Sequence, residues 1–251
     1  MKNRHGRSLA LAALLALGAC AQDPEAADPP APSPTAPSDP SPTPTLRDIN
    51  ELGDFAPLEP GTYFIDPDDD PATPLRVVYE VPVEGWSQWI GAAKLTEDGH
   101  VGVSITTVTN VVSHGCRDHS PADPPVGPSV DDLATALADL APFRVTSQPT
   151  DVTIYGYSGK HLELTVPDLP TTGSGDEKSF TGCTDGNLEG WIGPPSVGAF
   201  FGYETPGYTE EHWILDVEGT RLMIAAERYP GRPQKDLTEQ RAILDSIRIE
   251  P

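Results

Sequence analysis

The segment HWILDVEGTRLMIAAERY, residues 212–229, contains two apolar runs separated by Glu218-Gly219. A two-residue turn at Glu218-Gly219 would join the two runs as antiparallel strands. In that register three residue pairs face one another: Val217 with Thr220, Leu215 with Leu222, and Trp213 with Ile224. All three pairs lie on one face of the ladder, because side chains alternate along a strand. The segment therefore predicts a hairpin with that face buried.

The segment DVTIYGYSGKHLELTV, residues 151–166, predicts a second hairpin. A three-residue loop at Tyr157-Ser158-Gly159 places the glycine where a type I turn with a G1 bulge requires a positive φ. That register opposes two apolar pairs, Ile154 with Leu162 and Val152 with Leu164. A two-residue loop would oppose Ile154 to His161 instead, so we favour the three-residue loop.

Other elements are predicted from composition and periodicity. Runs of β-branched and aromatic residues predict strands at 62–65, 75–81, 89–95, 101–109, 144–147 and 199–203. Ser129 with Asp132 is predicted to cap a first helix, which ends before Pro142. Asp236 with Glu239 is predicted to open a second helix, followed by a short strand at 248–250. The apolar residues of the two helices are Val130, Leu133, Leu137 and Leu140, and Leu237, Ile243, Leu244 and Ile247.

Strands interrupted by two amphipathic helices predict an α+β fold, in which an antiparallel β-sheet is covered on one face by both helices. A β-sandwich of two sheets is the alternative. Aromatic and β-branched residues become frequent from about residue 46, and no internal repeat is present. Residues 46–251 are therefore predicted to form a single domain.

The domain resembles the Mog1/PsbP-like domains of some actinobacterial cell-envelope lipoproteins in three segments: VPVEGW at 81–86, WILDVEGTR at 213–221 and AILDSIRI at 242–249. These segments cover only part of the domain. The resemblance implies an envelope lipoprotein, and it carries over no catalytic residue.

The first residues have the composition of an export signal. A basic stretch at residues 1–7 precedes an apolar run at residues 8–19, which is too short to cross a membrane stably. The run ends in Leu17-Gly18-Ala19-Cys20, which resembles a bacterial lipobox.

The lipobox resemblance implies that residues 1–19 are a signal peptide and that the sulfur of Cys20 receives a diacylglyceryl group. Attachment of two or more acyl chains gives stable anchoring, whereas one chain is marginal. Cleavage after Ala21 at an A-x-A site, which would give a freely secreted protein, is the alternative.

Residues 21–45 are rich in Pro, Ser, Thr, Ala and Asp and contain no aromatic residue. Proline fixes φ and removes a backbone donor, so this composition predicts extended polyproline II chain. We interpret residues 20–45 as a lipidated cysteine followed by a disordered tether.

The chain is strongly acidic, with 16 Lys and Arg against 38 Asp and Glu in 251 residues. Nucleic acid is excluded as an expected partner, because binding to phosphates requires clustered cations. Removal of residues 1–19 would take away three cations and no acid, lowering the formal charge from -22 to -25. An acidic surface is repelled by anionic lipid headgroups, so we expect the protein to be attached to the membrane through its lipid group.

Cys116 and Cys183 remain once Cys20 is assigned to the lipid anchor. An exported chain meets an oxidising environment, so we predict a disulfide between them rather than two free thiols. The bond would connect two Gly- and Pro-rich segments, 113–128 and 167–195.

Two polar clusters could be metal sites. His114, Cys116, Asp118 and His119 are donors of the kind that transition metals prefer, but the cysteine is assigned to the disulfide, which favours a solvated polar loop.

Asp66, Asp68 and Asp70 alternate as they do at the start of a calcium loop. Pro71 and Val77 stand where an EF-hand needs Gly and Glu, so we predict a solvated acidic turn. Weak calcium binding is the alternative.

The segment Gly156-Tyr157-Ser158-Gly159 partly matches the nucleophile elbow of hydrolases, but Lys160 replaces the final glycine. The elbow also requires a strand, a turn and a helix, whereas this segment predicts a hairpin with His161 on the strand surface. A hydrolase is therefore a remote alternative. We expect no enzymatic activity, no cofactor and no metal.

Three of the tryptophans allow two interpretations. The register of the first hairpin assigns Trp213 to the core. Trp86, Trp89 and Trp191 lie near turns or loops, where an aromatic ring either seals the edge of the core or stacks on a ligand.

Together these features predict a non-enzymatic protein that is lipid-anchored at the outer face of the cell membrane. Its domain would bind a small apolar or envelope-derived ligand between sheet and helices, in an apolar cavity on the order of a few hundred Å³. The alternative is a protein-interaction or structural module of the envelope, acting through the cysteine-bearing loops and an exposed patch that includes Trp86 or Trp191.

Overall fold

The computed structural model describes residues 46–251, except 69, 71, 98, 174–177, 196–201 and 204. The predicted signal peptide, Cys20 and the predicted tether therefore lie outside the described residues, as does most of the strand predicted at 199–203. The described chain is mostly β, with 48% of residues in strands and 14% in helices, so sheets build most of the core. No helix in the described ranges is long and apolar enough to span a bilayer.

In chain order the elements are β1 (Arg47–Asp48), β2 (Pro57–Leu58), β3 (Gly61–Ile65), β4 (Arg76–Val81), β5 (Trp86–Trp89), β6 (Gly91–Thr96), β7 (Gly99–Thr107), β8 (Asn110–His114), β9 (Asp118–Pro121), α1 (Val130–Asp139), β10 (Arg144–Ile154), β11 (Tyr157–Thr165), β12 (Thr171–Thr172), β13 (Ser179–Phe180), β14 (Leu188–Glu189), β15 (Trp191–Ile192), β16 (Gly202–Tyr203), β17 (Thr209–Val217), β18 (Thr220–Arg228), α2 (Gln234–Ser246) and β19 (Arg248–Glu250).

The largest sheet is antiparallel and has eight strands in the order β10-β11-β17-β18-β7-β6-β5-β2. One edge is β10, which contains Pro149 and two shifts of register against β11. The other edge is β2, which has two residues. A smaller sheet has the order β1-β3-β4-β19.

The β17–β18 hairpin at the centre of the large sheet has the predicted register. Val217, Leu215 and Trp213 pair with Thr220, Leu222 and Ile224. Glu218 and Gly219 have φ values of 52° and 92°, the two positive angles that a type I′ turn requires. The prediction of this hairpin is confirmed.

The predicted register of the β10–β11 hairpin is wrong. The turn lies two residues earlier, at Tyr155 and Gly156, whose φ values are 55° and 89°, and Ile154 pairs with Tyr157. Gly159 is not a turn residue but lies within β11 beside β17. A Cβ atom at Gly159 would collide with the backbone carbonyl of Ile214, so this glycine serves the contact between strands.

The two helices cover opposite faces of the large sheet, so the prediction that both lie on one face is wrong. Ile243 of α2 belongs to the same apolar cluster as Leu215, together with the smaller sheet. Leu137 of α1 belongs to a second cluster, which contains Ile214. Leu215 and Ile214 are consecutive in β17 and both fully buried, so each face of the strand needs a cover.

Helix α1 begins as predicted. The Ser129 hydroxyl accepts the backbone N–H of Asp132 at 3.1 Å, and Asp132 Oδ2 accepts the backbone N–H of Ser129 at 3.0 Å. These reciprocal bonds form a capping box. The side-chain and backbone hydrogen bonds from Ser129 lower the pKa of the Asp132 carboxyl.

Helix α2 begins differently, because Asp236 and Glu239 do not cap it. Both carboxylates are buried and face Lys94 of β6, whose Nζ lies 3.1 Å from Asp236 Oδ1 and 2.5 Å from Glu239 Oε2. Arg232 Nη2 lies 2.7 Å from Asp236 Oδ2. Burial alone would raise the pKa of Asp236, but the bonds from Lys94 and Arg232 lower it. The two acids thus fasten α2 to the sheet.

Candidate functional site

An open cleft of about 540 Å³ lies between α2 and the large sheet, and we refer to it as the α2 cleft. Its lining includes Gln234, Leu237, Arg241 and Asp245 of α2, and Glu211 and Arg228 of the sheet. Most of these side chains are polar or charged. The α2 cleft therefore differs from the apolar cavity expected from the sequence.

The α2 cleft exists because the sheet extends beyond the helix. Helix α2 packs against β4 and β7, whereas β11 and β10 continue the sheet away from it. On this uncovered part of the face, His161 lies opposite Trp213, and Glu163 lies opposite Glu211. Strand alternation thus brings polar side chains of β11 and β17 to the border of the cleft.

Glu211 is the central acceptor of the cleft. His161 Nε2 lies 2.9 Å from Glu211 Oε1, and Arg241 Nη2 lies 3.6 Å from Glu211 Oε2. The second distance exceeds that of a normal hydrogen bond. The guanidinium carbon of Arg241 lies 5.8 Å from the centre of the Trp213 ring, within the range of a cation–π contact.

Glu163 is held by two donors. Arg228 Nη2 donates to Glu163 Oε2 at 2.6 Å, and the Thr146 hydroxyl donates to Glu163 Oε1 at 2.6 Å. Burial works to raise the pKa of Glu163, but the bonds from Thr146 and Arg228 outweigh it and lower the pKa. Glu163 therefore stays ionised at neutral pH and is a charge partner, not a proton donor.

The segment Gly156-Tyr157-Ser158-Gly159 does not form a nucleophile elbow. Ser158 lies in β11 opposite Thr153 of β10, so the segment is part of a hairpin as predicted. His161 reaches Glu211 and not Ser158. The geometry of the described residues thus assigns His161 to the border of the α2 cleft.

A second polar cluster is buried on the opposite face of the sheet. The Ser104 hydroxyl donates to Glu227 Oε1, and His100 Nε2 lies 3.3 Å from Glu227 Oε2. Glu210 lies directly opposite Glu227, and its Oε2 is 3.2 Å from His212 Nε2. Sequence reasoning missed this cluster. Extending the correct register of the β17–β18 hairpin would have placed Glu210 against Glu227.

The predicted ligand-facing tryptophans divide into two groups. The side chains of Trp86 and Trp191 are 1% and 0% exposed, so both rings lie in the core, and the expectation that either belongs to an exposed patch is wrong. Trp89 is partly buried and stacks on Phe55, with ring centres 5.2 Å apart. Phe55 is 50% exposed.

The predicted disulfide is confirmed. The sulfur atoms of Cys116 and Cys183 are 2.12 Å apart. The backbone joins the same two segments, since the N–H of Thr184 donates to Cys116 O at 2.8 Å and that of Glu189 donates to Gly115 O at 2.8 Å. The cysteine-bearing loops are thus fastened to each other by covalent and hydrogen bonds.

The other side chains of the predicted metal cluster near Cys116 contact neighbouring parts of the protein. His114 Nδ1 accepts the backbone N–H groups of Cys116 and Arg117 at 3.1 and 3.2 Å. His119 Nδ1 lies 3.3 Å from Glu189 Oε1. Among the residues that the structure describes, no three His, Cys, Asp or Glu side chains are arranged to hold a metal ion.

The acidic segment after β3 forms a turn, as predicted. Asp66 Oδ1 accepts the N–H of Asp68 at 3.3 Å, and Asp68 Oδ1 accepts the N–H of Asp70 at 3.2 Å. Asp70 Oδ1 in turn accepts the N–H of Ala72 at 2.9 Å. These contacts are successive Asx turns, which use the carboxylates to order the backbone.

Comparison of the chain with family models, with curated proteins and with solved structures finds no match in any of the three. No relative therefore indicates what the α2 cleft binds.

Proposed function

We propose that this protein is a lipoprotein anchored through Cys20 at the outer face of the cell membrane, and that its domain is a non-enzymatic binding module. The observation that carries the binding role is the α2 cleft, in which charged side chains from β17, β18 and α2 meet in one solvent-open site. Because charged side chains are among its lining residues, we expect a ligand with polar groups and not the purely apolar ligand expected from the sequence.

The disulfide supports the extracytoplasmic location. Stable disulfides are typical of oxidising compartments and are rare in the cytosol. The bond between Cys116 and Cys183 joins loops that are also hydrogen-bonded to each other, as a structural disulfide does. The lipobox resemblance at Cys20 supplies the mode of attachment.

We assign the fold to the α+β class in preference to the β-sandwich. Helix α2 contributes to the apolar cluster on one face of the large sheet, and helix α1 contributes to the cluster on the other face. The large sheet is antiparallel and packs against helices as well as strands, whereas a β-sandwich core is formed by two sheets alone.

The pairing of charges in the α2 cleft supports a non-enzymatic role. His161 is paired with Glu211, and Glu163 is paired with Arg228. The lowered pKa of Glu163 does not suit a general acid. Binding needs only complementary charge and shape, which this arrangement supplies.

A protein-interaction module is the second candidate function, and Phe55 favours it. Its φ is 57°, a conformation that is rare for an aromatic residue, and its exposed ring stacks on Trp89. Strained residues of this kind concentrate at functional sites. A partner would then contact the Phe55–Trp89 pair and not the buried Trp86 or Trp191.

Replacing the acylated sulfur tests the anchor. In cells fed radiolabelled palmitate, the wild-type chain is expected to incorporate the label, and Cys20→Ser is expected to incorporate none, since serine offers no thiol for the thioether. Label would be normalised to the amount of protein on an immunoblot. The double variant Cys116→Ser/Cys183→Ser is the control and should label like the wild type. Equal labelling of Cys20→Ser would refute the assignment.

A further inference from the structure

We infer that the α2 cleft binds its ligand through an oxyanion, a carboxylate or phosphate group, held by the guanidinium groups of Arg228 and Arg241. This inference rests on the binding function proposed above and specifies the chemistry of the ligand. It is carried by the geometry of the two arginines and by the charge of the rest of the chain.

Arg241 is the better placed of the two. Its side chain is 54% exposed, and its nearest carboxylate oxygen, Glu211 Oε2, is 3.6 Å away. Glu211 is already bonded at 2.9 Å to His161 through its other oxygen. The guanidinium carbon of Arg241 lies 5.8 Å from the centre of the Trp213 ring, and its side chain is part of the cleft lining.

Arg228 contributes from the sheet side of the cleft. One of its five donor hydrogens is used by Glu163, at 2.6 Å from Nη2. That bond fixes the position of the guanidinium and leaves other donors for a ligand. A planar guanidinium matches the two oxygens of a carboxylate or phosphate, which makes arginine the usual residue for recognising such groups.

The charge of the protein makes this site selective. With a formal charge of -22, most of the surface repels anions. The lining of the α2 cleft balances two arginines against the acids Glu211 and Asp245, and Glu211 lies closer to His161, at 2.9 Å, than to Arg241, at 3.6 Å. An anion can therefore approach the two guanidiniums more favourably there. The volume of about 540 Å³ suits a small molecule.

Titration with matched small probes tests the inference. The full-length protein in detergent would be titrated at low salt with glutarate, inorganic phosphate and the neutral isostere glutaramide. Calorimetry would measure affinity, and the indole N–H signal of Trp213 in NMR spectra would report binding at the cleft. We expect glutarate or phosphate to bind and to shift the Trp213 signal. Binding of glutarate alone identifies a carboxylate as the ligand group, and binding of phosphate alone identifies a phosphate.

Substitution of Arg241 localises the binding. Arg241→Gln is expected to weaken the affinity for the bound oxyanion at least tenfold. Arg248→Gln should leave that affinity unchanged, because Arg248 is similarly exposed, at 57%, and lies outside the cleft lining. Thermal melting of both variants would verify that they fold.

The remaining outcomes separate the two proposals. If glutaramide shifts the Trp213 signal as strongly as glutarate does, the cleft binds ligands without selecting an oxyanion, and only the present inference fails. If oxyanions bind equally well to Arg241→Gln, they bind elsewhere and the inference is wrong. If no probe binds, the inference is overturned, whereas the binding role proposed for the α2 cleft does not require an oxyanion and is unaffected.

Discussion

Glu227→Ala is expected to lower the free energy of unfolding of the domain by about 3 kcal/mol or more, because two polar groups, at about 1–3 kcal/mol each, lose their buried acceptor. The Glu227 carboxylate is fully buried and contacts both Ser104 and His100. Its loss would leave these polar groups without their acceptor and would open a void where the side chain lies.

Urea unfolding at neutral pH, followed by circular dichroism, measures this change. Glu80→Ala is the matched control, because the Glu80 side chain is 57% exposed and lies on β4. It should unfold within about 0.5 kcal/mol of the wild type. A loss of less than about 1 kcal/mol for Glu227→Ala would mean that the buried contacts of Glu227 contribute little to stability.

Removal of the disulfide is expected to have an effect of similar size. The bond joins residues separated by 67 positions. In the chain-entropy model, closing a loop of that length raises the free energy of the unfolded state by about 4 kcal/mol. The double variant Cys116→Ser/Cys183→Ser should therefore unfold at a lower urea concentration than the oxidised wild type. Adding a reductant to the wild type should shift its midpoint toward that of the variant.

Two comparisons make the disulfide prediction specific. The reductant should not move the midpoint of the double variant, and Cys20→Ser should unfold like the wild type, because Cys20 lies outside the bonded pair. An unchanged midpoint for the double variant would show that the unfolded chain is already restricted by other means.

Local turn chemistry explains why part of the fold was predictable. The turn at Glu218 and Gly219 fixes the register of the β17–β18 hairpin, and Ser129 with Asp132 fixes the start of α1. In both cases the interacting residues lie within a few positions of one another. The signal is therefore contained in a short segment of sequence.

The errors arise where a distant residue determines the role of a local one. Gly159 matches a loop signature, but its place is set by the carbonyl of Ile214 on the neighbouring strand. Asp236 and Glu239 match a helix start, but they bind Lys94 of β6. No short segment contains these contacts, so a reading of local patterns assigns the residues to the commoner local motif.

The α2 cleft was missed for the same reason. In the sequence, Arg241 is a polar position of a predicted amphipathic helix. Glu211 and Arg228 lie near the ends of two predicted strands. Their convergence depends on which face of the sheet α2 covers. That choice follows from burial on both faces of β17, which the alternating pattern of the hairpin did not reveal.

The two edge strands of the large sheet limit how copies of the protein can pair through their sheets. Polymerisation of β-proteins commonly starts when the outer strand of one molecule extends the sheet of another. In β10, Pro149 lacks the N–H needed for such a pairing, and the register shifts around it bend the hydrogen-bonding groups out of line. At the other margin, β2 has only two residues, one of them Pro57. Both edge strands of the large sheet are therefore poor templates for pairing with a second copy of the chain.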